Sequence, residues 1–237
     1  MIINTRLIKR LWLMSGILIL LLLLFPIGFG KGRLVILIGV PLFWLGAVFF
    51  SLPRKWLSTI LAVSGAGFLL LTALPGREIA PAALRSFYVQ HLREYEGTRY
   101  VFGGENKIGI DCSGLVRLAL VDAYLHLGLV RLNPTAVRQG ISTWLRDASA
   151  LALGTGYKGL TRYVMSAPSI QTLDHSVLLP GDLAVTQDGQ HVLAYLGAET
   201  WIQAEPGAQQ VIINNASDRQ YWLSVPVNVV RWSQLAE

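Results

Sequence analysis

The sequence predicts an α+β domain, helices first and an antiparallel β-sheet after them, carried on three transmembrane helices. Three observations predict it. Residues 11–30, 34–53 and 56–76 are uncharged runs of 20, 20 and 21 residues, and about 20 apolar residues span a bilayer core as a helix. Segments between 81 and 148 carry apolar residues at helical spacing, and the last third alternates apolar with polar positions. Helices followed by strands are the order of an α+β fold, not of a doubly wound parallel sheet.

The first element is an anchor over residues 1–76. Lys31-Gly-Arg33 and Arg54-Lys55 separate its three runs, and Pro26, Pro41 and Pro53 fall where kinks or helix ends are tolerated. Arg6, Lys9 and Arg10 precede the first run as they would in a signal peptide. That run is too long, lacks an A-x-A-like cleavage site, and is followed by two more. The third run, rich in Gly, Ser and Thr, also admits a reading as a buried helix. Residues 1–80 hold eight Lys/Arg and one acid (net +7), and residues 81–237 hold twelve and thirteen (net −1). The chain's net +6 therefore belongs to the anchor, where basic flanks meet anionic headgroups. The remainder shows no basic stripe interleaved with aromatics, so no nucleic-acid partner is expected. With the N-terminus cytoplasmic, inner flanks carry Arg6, Lys9, Arg10, Arg54 and Lys55. Outer ones carry Lys31, Arg33, Arg77 and Arg85. Five against four is a slight positive-inside bias, placing residues 77–237 outside an inner membrane. The single cysteine allows no intrachain disulfide.

Residues 77–237 are long enough for one domain with its own core. The stretch "PAALRSFYVQHLREYE" opens on Pro81 and sets Leu84, Phe87, Tyr88, His91, Leu92 and Tyr95 along one helical face. His91 on that face reads as a satisfied core histidine. Asp111 is a good N-cap for a helix over about 112–127. Asn133-Pro134 starts another. Residues 150–178 carry no clear period and read as a lid or surface insertion. Strands follow in "DLAVTQ", "HVLAYLG", "TWIQAE", "QVIIN" and "WLSVPVNVVRW", with turns at Pro180-Gly181, Asp188-Gly189 and Pro206-Gly207.

Cys112 is the residue with chemistry to explain. At a helix start its sulfur meets unpaired N–H groups and the positive end of the helix dipole, which favours thiolate. Its own N–H is placed to stabilise an oxyanion. A lone cysteine is otherwise a small buried hydrophobe. No Cys or His pair has ligand spacing, so neither metal nor cofactor is expected. A thiolate hydrolase needs a base and the base an orienting partner. His191 opens a strand, whereas His126 lies far along the Cys112 helix and His175 in the unassigned segment. Gly197 is six residues from both His191 and Gln203. A hairpin turning on Gly197 would set these side chains directly opposite each other, the amide oxygen fixing the imidazole tautomer.

The run "YEGTRYVFGGENKIGIDCSGLVRLAL", followed by "PGDLAVTQDGQHVLAYLGAETWIQAEPG", resembles the NlpC/P60 family of papain-like cysteine peptidases over most of residues 82–215. The resemblance implies that Cys112 is the nucleophile, His191 the general base and Gln203 the third polar position, often histidine in the family. Tyr100 matches a tyrosine near the nucleophile that assists the oxyanion. Asp111 and Ser113 match positions that bind the amino end of a stem peptide. Gly103 and Gly104 shape the loop, and Gly181 and Asp182 lead the strand entering the site. The implied protein is a papain-like, NlpC-type hydrolase held at the membrane and cleaving amide bonds in peptidoglycan stem peptides, with acyl transfer, deamidation or non-catalytic binding as alternatives.

Overall fold

The computed structural model describes residues 5–28 and 30–236. It begins with three antiparallel helices, α1 (Thr5–Leu24), α2 (Gly30–Ser51) and α3 (Lys55–Ala73), whose apolar side chains are largely exposed. Tight aromatic packing joins them. Trp12 stacks on Phe43 at 4.8 Å and donates to the Phe43 carbonyl at 3.0 Å, and Trp44 donates to the Leu61 carbonyl at 3.2 Å. Gly16, Gly46 and Gly65 lie beneath Phe43, Trp12 and Trp44, the small-residue contact that brings apolar helices close. Pro26 and Pro53 fall in the connectors and Pro41 inside α2.

The remaining elements are α4 (Pro81–Arg93), β1 (Glu105–Asn106), β2 (Gly109–Ile110), α5 (Cys112–Val130), α6 (Pro134–Leu145), α7 (Ala150–Gly154), β3 (Thr161–Ala167), β4 (Leu183–Thr186), β5 (Val192–Gly197), β6 (Thr200–Glu205), β7 (Gln210–Asn215) and β8 (Val227–Trp232). The last six form one antiparallel sheet in the order β3-β8-β4-β5-β6-β7. The order of helices before strands follows the expectation from sequence.

Helix α5 is the hub. Asp111 caps it, accepting from the Gly114 N–H at 2.6 Å. Leu115 and Leu120 then pack with Leu183, Ala194, Ile202 and Val230 of the sheet in one buried cluster. Helix α4, started by Pro81 at its first position, adds Leu84, Tyr88 and Leu92. Tyr88 donates to the Val116 carbonyl and accepts from Trp232 Nε1, each at 3.0 Å, tying α4 and α5 to β8. The opposite sheet face buries Leu193, Trp201 and Val229 under the short turns at residues 170–178 and 221–223.

Among the described residues, four helices are long and apolar enough to cross a membrane, α1, α2, α3 and α5. Only α5 is enclosed by protein. No residue of α3 is buried, which removes its reading as a core helix. Two segments differ from expectation. Residues 150–178 contain α7 and the edge strand β3, whose exposed, mixed side chains give no clean alternation. Strand β8 starts at Val227, because residues 221–223 make a 3-10 turn instead.

The helices that follow α3 also lean on its end. Asn133 caps α6, accepting from the Thr135 N–H at 3.1 Å. Arg138 of α6 donates to the Thr72 and Leu74 carbonyls at 2.7 Å each, at the end of α3.

Candidate active site

The strand-and-loop segment before α5 sets Cys112. Gly103 and Gly104 turn the chain back so that Gly103 N–H donates to Asp111 Oδ2 at 2.9 Å and Asp111 N–H to the Gly104 carbonyl at 3.1 Å. The other Asp111 oxygen takes the Gly114 N–H and the Ser113 hydroxyl, the latter at 3.0 Å. Asp111 is thus held by both the loop and the helix, and burial raises its pKa despite these bonds. A Cβ on Gly114 would strike the Gly104 carbonyl, so the helix and loop meet at backbone contact.

Burial, followed by the Asp111 carboxylate, pushes the Cys112 thiol up to about 12, against the N–H groups of Val192, Ser113 and Cys112 itself. The helix start therefore does supply donors to the sulfur. The cost of desolvating a thiolate outweighs them, which corrects the expectation of a resting thiolate. The Val192 N–H belongs to the residue after His191, so the start of β5 meets the start of α5 at this sulfur.

His191 is 1% exposed. The turn before it is tied by its own N–H donating to Thr186 Oγ1 at 3.0 Å and by Thr186 Oγ1 donating to Asp188 at 2.6 Å. Its Nε2 lies 2.8 Å from Gln203 Oε1. The contact is formed by a different register from the one expected. Ala198 and Glu199 occupy the turn with φ of 49° and 55°, and the ladder shifts at Gly197. Ala194 pairs with Ile202 and Tyr195 with Trp201. Continued, this register sets His191 across from Glu205. Gln203 sits one diagonal step away, and a two-residue offset keeps it on the same face.

The bond to Gln203 has a determined polarity. Asp218 accepts the Asn215 N–H at 2.9 Å and Asn214 Nδ2 at 3.3 Å. Asn214 then offers its oxygen to Gln203 Nε2 at 2.9 Å, and Gln203 offers its oxygen to His191. A carboxylate only accepts, so each amide in the chain has one consistent orientation. His191 carries its proton on Nε2, and Nδ1 is left as the acceptor. Trp222 stacks on the imidazole, 4.3 Å between centroids at 18°. Burial lowers the His191 pKa to about 4, against the Gln203 bond and the nearby Glu205 and Asp188 carboxylates.

Tyr100 is held by its N–H donating to the Gln209 carbonyl at 2.8 Å. Its half-buried phenol is pushed up to about 12, first by burial and then by the charges of Cys112, Asp111 and Glu205. It remains a donor at neutral pH. Cys112, Asp111, Ser113 and Tyr100 thus form one group, and His191 with Gln203 another that meets it at Val192. Asp182 stands apart from both, buried and gripped by Arg231 at 2.6 and 2.7 Å. The other histidines are engaged elsewhere: His91 with Glu94 and His126, and His175 with Trp201.

Four nearby residues escape sequence reasoning. Glu205 is the same-face neighbour of Gln203 in "TWIQAE", a signal that period-2 reading contains. Asn214, Asp218 and Trp222 come from β7 and the turn beyond it, and no local pattern marks them.

A model of the NlpC/P60 family matches residues 97–231. Among solved structures the chain is similar to NlpC1 from Trichomonas vaginalis, at 17% identity and a TM-score of 0.44 over 68% of this chain and 48% of that one. It is also similar to the peptidoglycan hydrolase RipB from Mycobacterium tuberculosis, at 20% identity and 0.40 over 67% and 69%. The chain spans about half the length of the first of these relatives. No curated protein matches.

Proposed function

Because the chain belongs to the NlpC/P60 family of cysteine peptidases and amidases, we propose that it is a membrane-anchored hydrolase of amide bonds in peptidoglycan stem peptides. Cys112 acts as nucleophile, His191 as base and Gln203 as the residue that orients it. The observation that supports this reading is the Asp218–Asn214–Gln203 relay, which holds the Nε2 proton of a buried imidazole and leaves its Nδ1 unprotonated.

The resting pair is thiol and neutral imidazole, since burial disfavours both ions. As Sγ attacks the amide carbonyl, its proton passes to Nδ1, and the imidazolium that forms keeps its Nε2–H bond to Gln203. The oxyanion receives the Cys112 N–H and the Tyr100 hydroxyl. The imidazolium then protonates the leaving amine as the C–N bond breaks, leaving a thioester. Water, deprotonated by His191, hydrolyses the thioester and restores the thiol. Asp111 and Ser113 bind the amino end of the peptide, with Asp111 as its counter-charge.

Helices α1, α2 and α3 serve as three spans that hold the domain beside its substrate. The flanking Lys/Arg count of five inner against four outer supports an orientation with the catalytic domain outside the membrane. The test is digestion of purified peptidoglycan by the full chain, with mass analysis of the products. New amide-cleavage products from wild type that are absent with Cys112→Ala are expected. Identical profiles overturn the reading.

A further inference from the structure

The connector between α1 and α2 is built into the wall of the site. Gly28 N–H donates to the Gly103 carbonyl at 3.1 Å, and Glu105 N–H donates to the Pro26 carbonyl at 2.7 Å. Ile27 and Gly104 pair as an antiparallel bridge. Gly103 is the residue whose N–H holds Asp111, so the anchor sits two hydrogen bonds from the helix cap that carries Cys112. A Cβ on Gly28 would collide with the Glu105 carboxylate, which shows how closely the two segments meet.

Two cavities flank this junction and share Gly28 and Glu105 as walls. One, of about 360 Å³, opens between α1 and α2 and is lined by Leu21, Leu22, Ile36 and Trp144. The other, of about 380 Å³, is lined by Asp111, Ser113, Asp147 and Ser149 next to the nucleophile. Meeting at these two walls, they outline a path that is apolar along α1 and α2 and polar beside Asp111 and Ser113. At the join, Arg33 is 97% buried, with Nε and Nη2 on Glu105. Its Nη1 is buried with no partner among the described residues. Arg117 shares the Glu105 carboxylate and also binds Asp147 at 2.6 Å, so the cluster is neutral by charge. An unmet buried guanidinium donor costs free energy, and an oxygen of a bound ligand relieves it.

We infer that the path takes an amphiphilic substrate, with its hydrocarbon tail between α1 and α2, a phosphate or carbonyl oxygen at Arg33, and its peptide at Cys112. The substrate class is thus a lipid-linked peptide reached from the bilayer surface, not a free one. This rests on the proposed peptide hydrolysis. The tail enters from the side where α1 and α2 face lipid, while its head group lies where Asp111 and Ser113 already wait.

The test uses the full chain in phosphatidylcholine nanodiscs and two substrates, a stem peptide and the same peptide joined through a phosphodiester to a hexadecyl chain. The tailed substrate should have a KM lower by about tenfold, the gain from burying about two methylenes. Ile36→Trp, which fills the crevice, should narrow that ratio to about twofold, and Leu22→Trp should do the same from the opposite wall. Leu13→Trp, on the face of α1 opposite Leu22, should keep the full ratio and so exclude simple partitioning into the bilayer. Equal KM values in wild type, or a ratio unchanged in both crevice variants, overturn the inference and leave the hydrolase reading intact. Turnover of neither substrate by wild type overturns both.

Discussion

Helix α5 and helix α1 are built from the same kind of residues and end in different surroundings. Each is about 20 residues long, rich in Leu and Val or Ile, and apolar enough to cross a membrane. Yet 67% of the apolar stretch of α5 is buried inside the protein, against 6% for α1. The difference lies in the few polar residues. α5 has an Asp111 cap with three partners, Arg117 on Glu105 and Asp147, and Asp122 on Tyr95 at 2.8 Å. The described cations of α1, such as Lys9 and Arg10, lie at its exposed start. Hydropathy tells that a helix needs an apolar environment. Polar groups with defined protein partners tell which one it has.

The comparison can be broken at its charges first. Arg117→Ala takes a buried partner from Glu105 and Asp147, leaves one acid in excess in the cluster, and should cost about 3–5 kcal/mol. Lys9→Ala at the exposed start of α1 should change stability by less than about 0.5 kcal/mol. Denaturant unfolding in nanodiscs measures both, and similar values would erase the distinction. Packing comes next. Leu120→Ala in α5 should cost about 3 kcal/mol through the cavity it leaves. Leu18→Ala, on a 54% exposed side chain of α1, should cost under about 1 kcal/mol.

The site on α5 sharpens the contrast through pH. The unfolded chain binds a proton on His191 from about pH 6.5 downward, the folded chain only from about 4. Stability from this group is complete above pH 6.5 and falls by about 3 kcal/mol as pH drops toward 4. Midpoints for wild type and His191→Asn across that window read the difference, and parallel curves would contradict it. The smallest effect concerns Trp222. Removing its ring in Trp222→Ala opens His191 to water, so the imidazole pKa rises from about 4 toward 6.5. The acid limb of Cys112 alkylation by iodoacetamide should move up by about one pH unit. An unmoved limb would show that the stack does not desolvate His191.

Much of the molecule was legible before folding. The Asp111 cap, the start of α5 at Cys112, the Pro81 and Asn133-Pro134 helix starts and four of the five expected strands lie within a residue or two of expectation. These depend on local chemistry: a side chain caps the helix it precedes, and alternation marks a half-buried strand. The edge strand β3 was not legible because its outer face is exposed and mixed. The first half of the expected 222–232 strand was lost because Trp222 is drawn onto His191.

The site divides along the same line. The residue types at Cys112, His191 and Gln203, and the same-face relation of the latter two, were readable from sequence because a strand repeats every two residues. The register was not, since a turn through two left-handed residues moved the pairing by two positions. Local rules also favoured a thiolate at the helix start, whereas the assembled structure buries the sulfur and raises its pKa. By itself, the sequence determined which segments are apolar, where helices begin and which side chains can do thiol chemistry. Only the tertiary structure decided which apolar helix is sealed in protein, how the relay from Asp218 orients the imidazole, and that the α1–α2 connector walls the site. Burial and register are sums over distant neighbours, and no local stretch contains them.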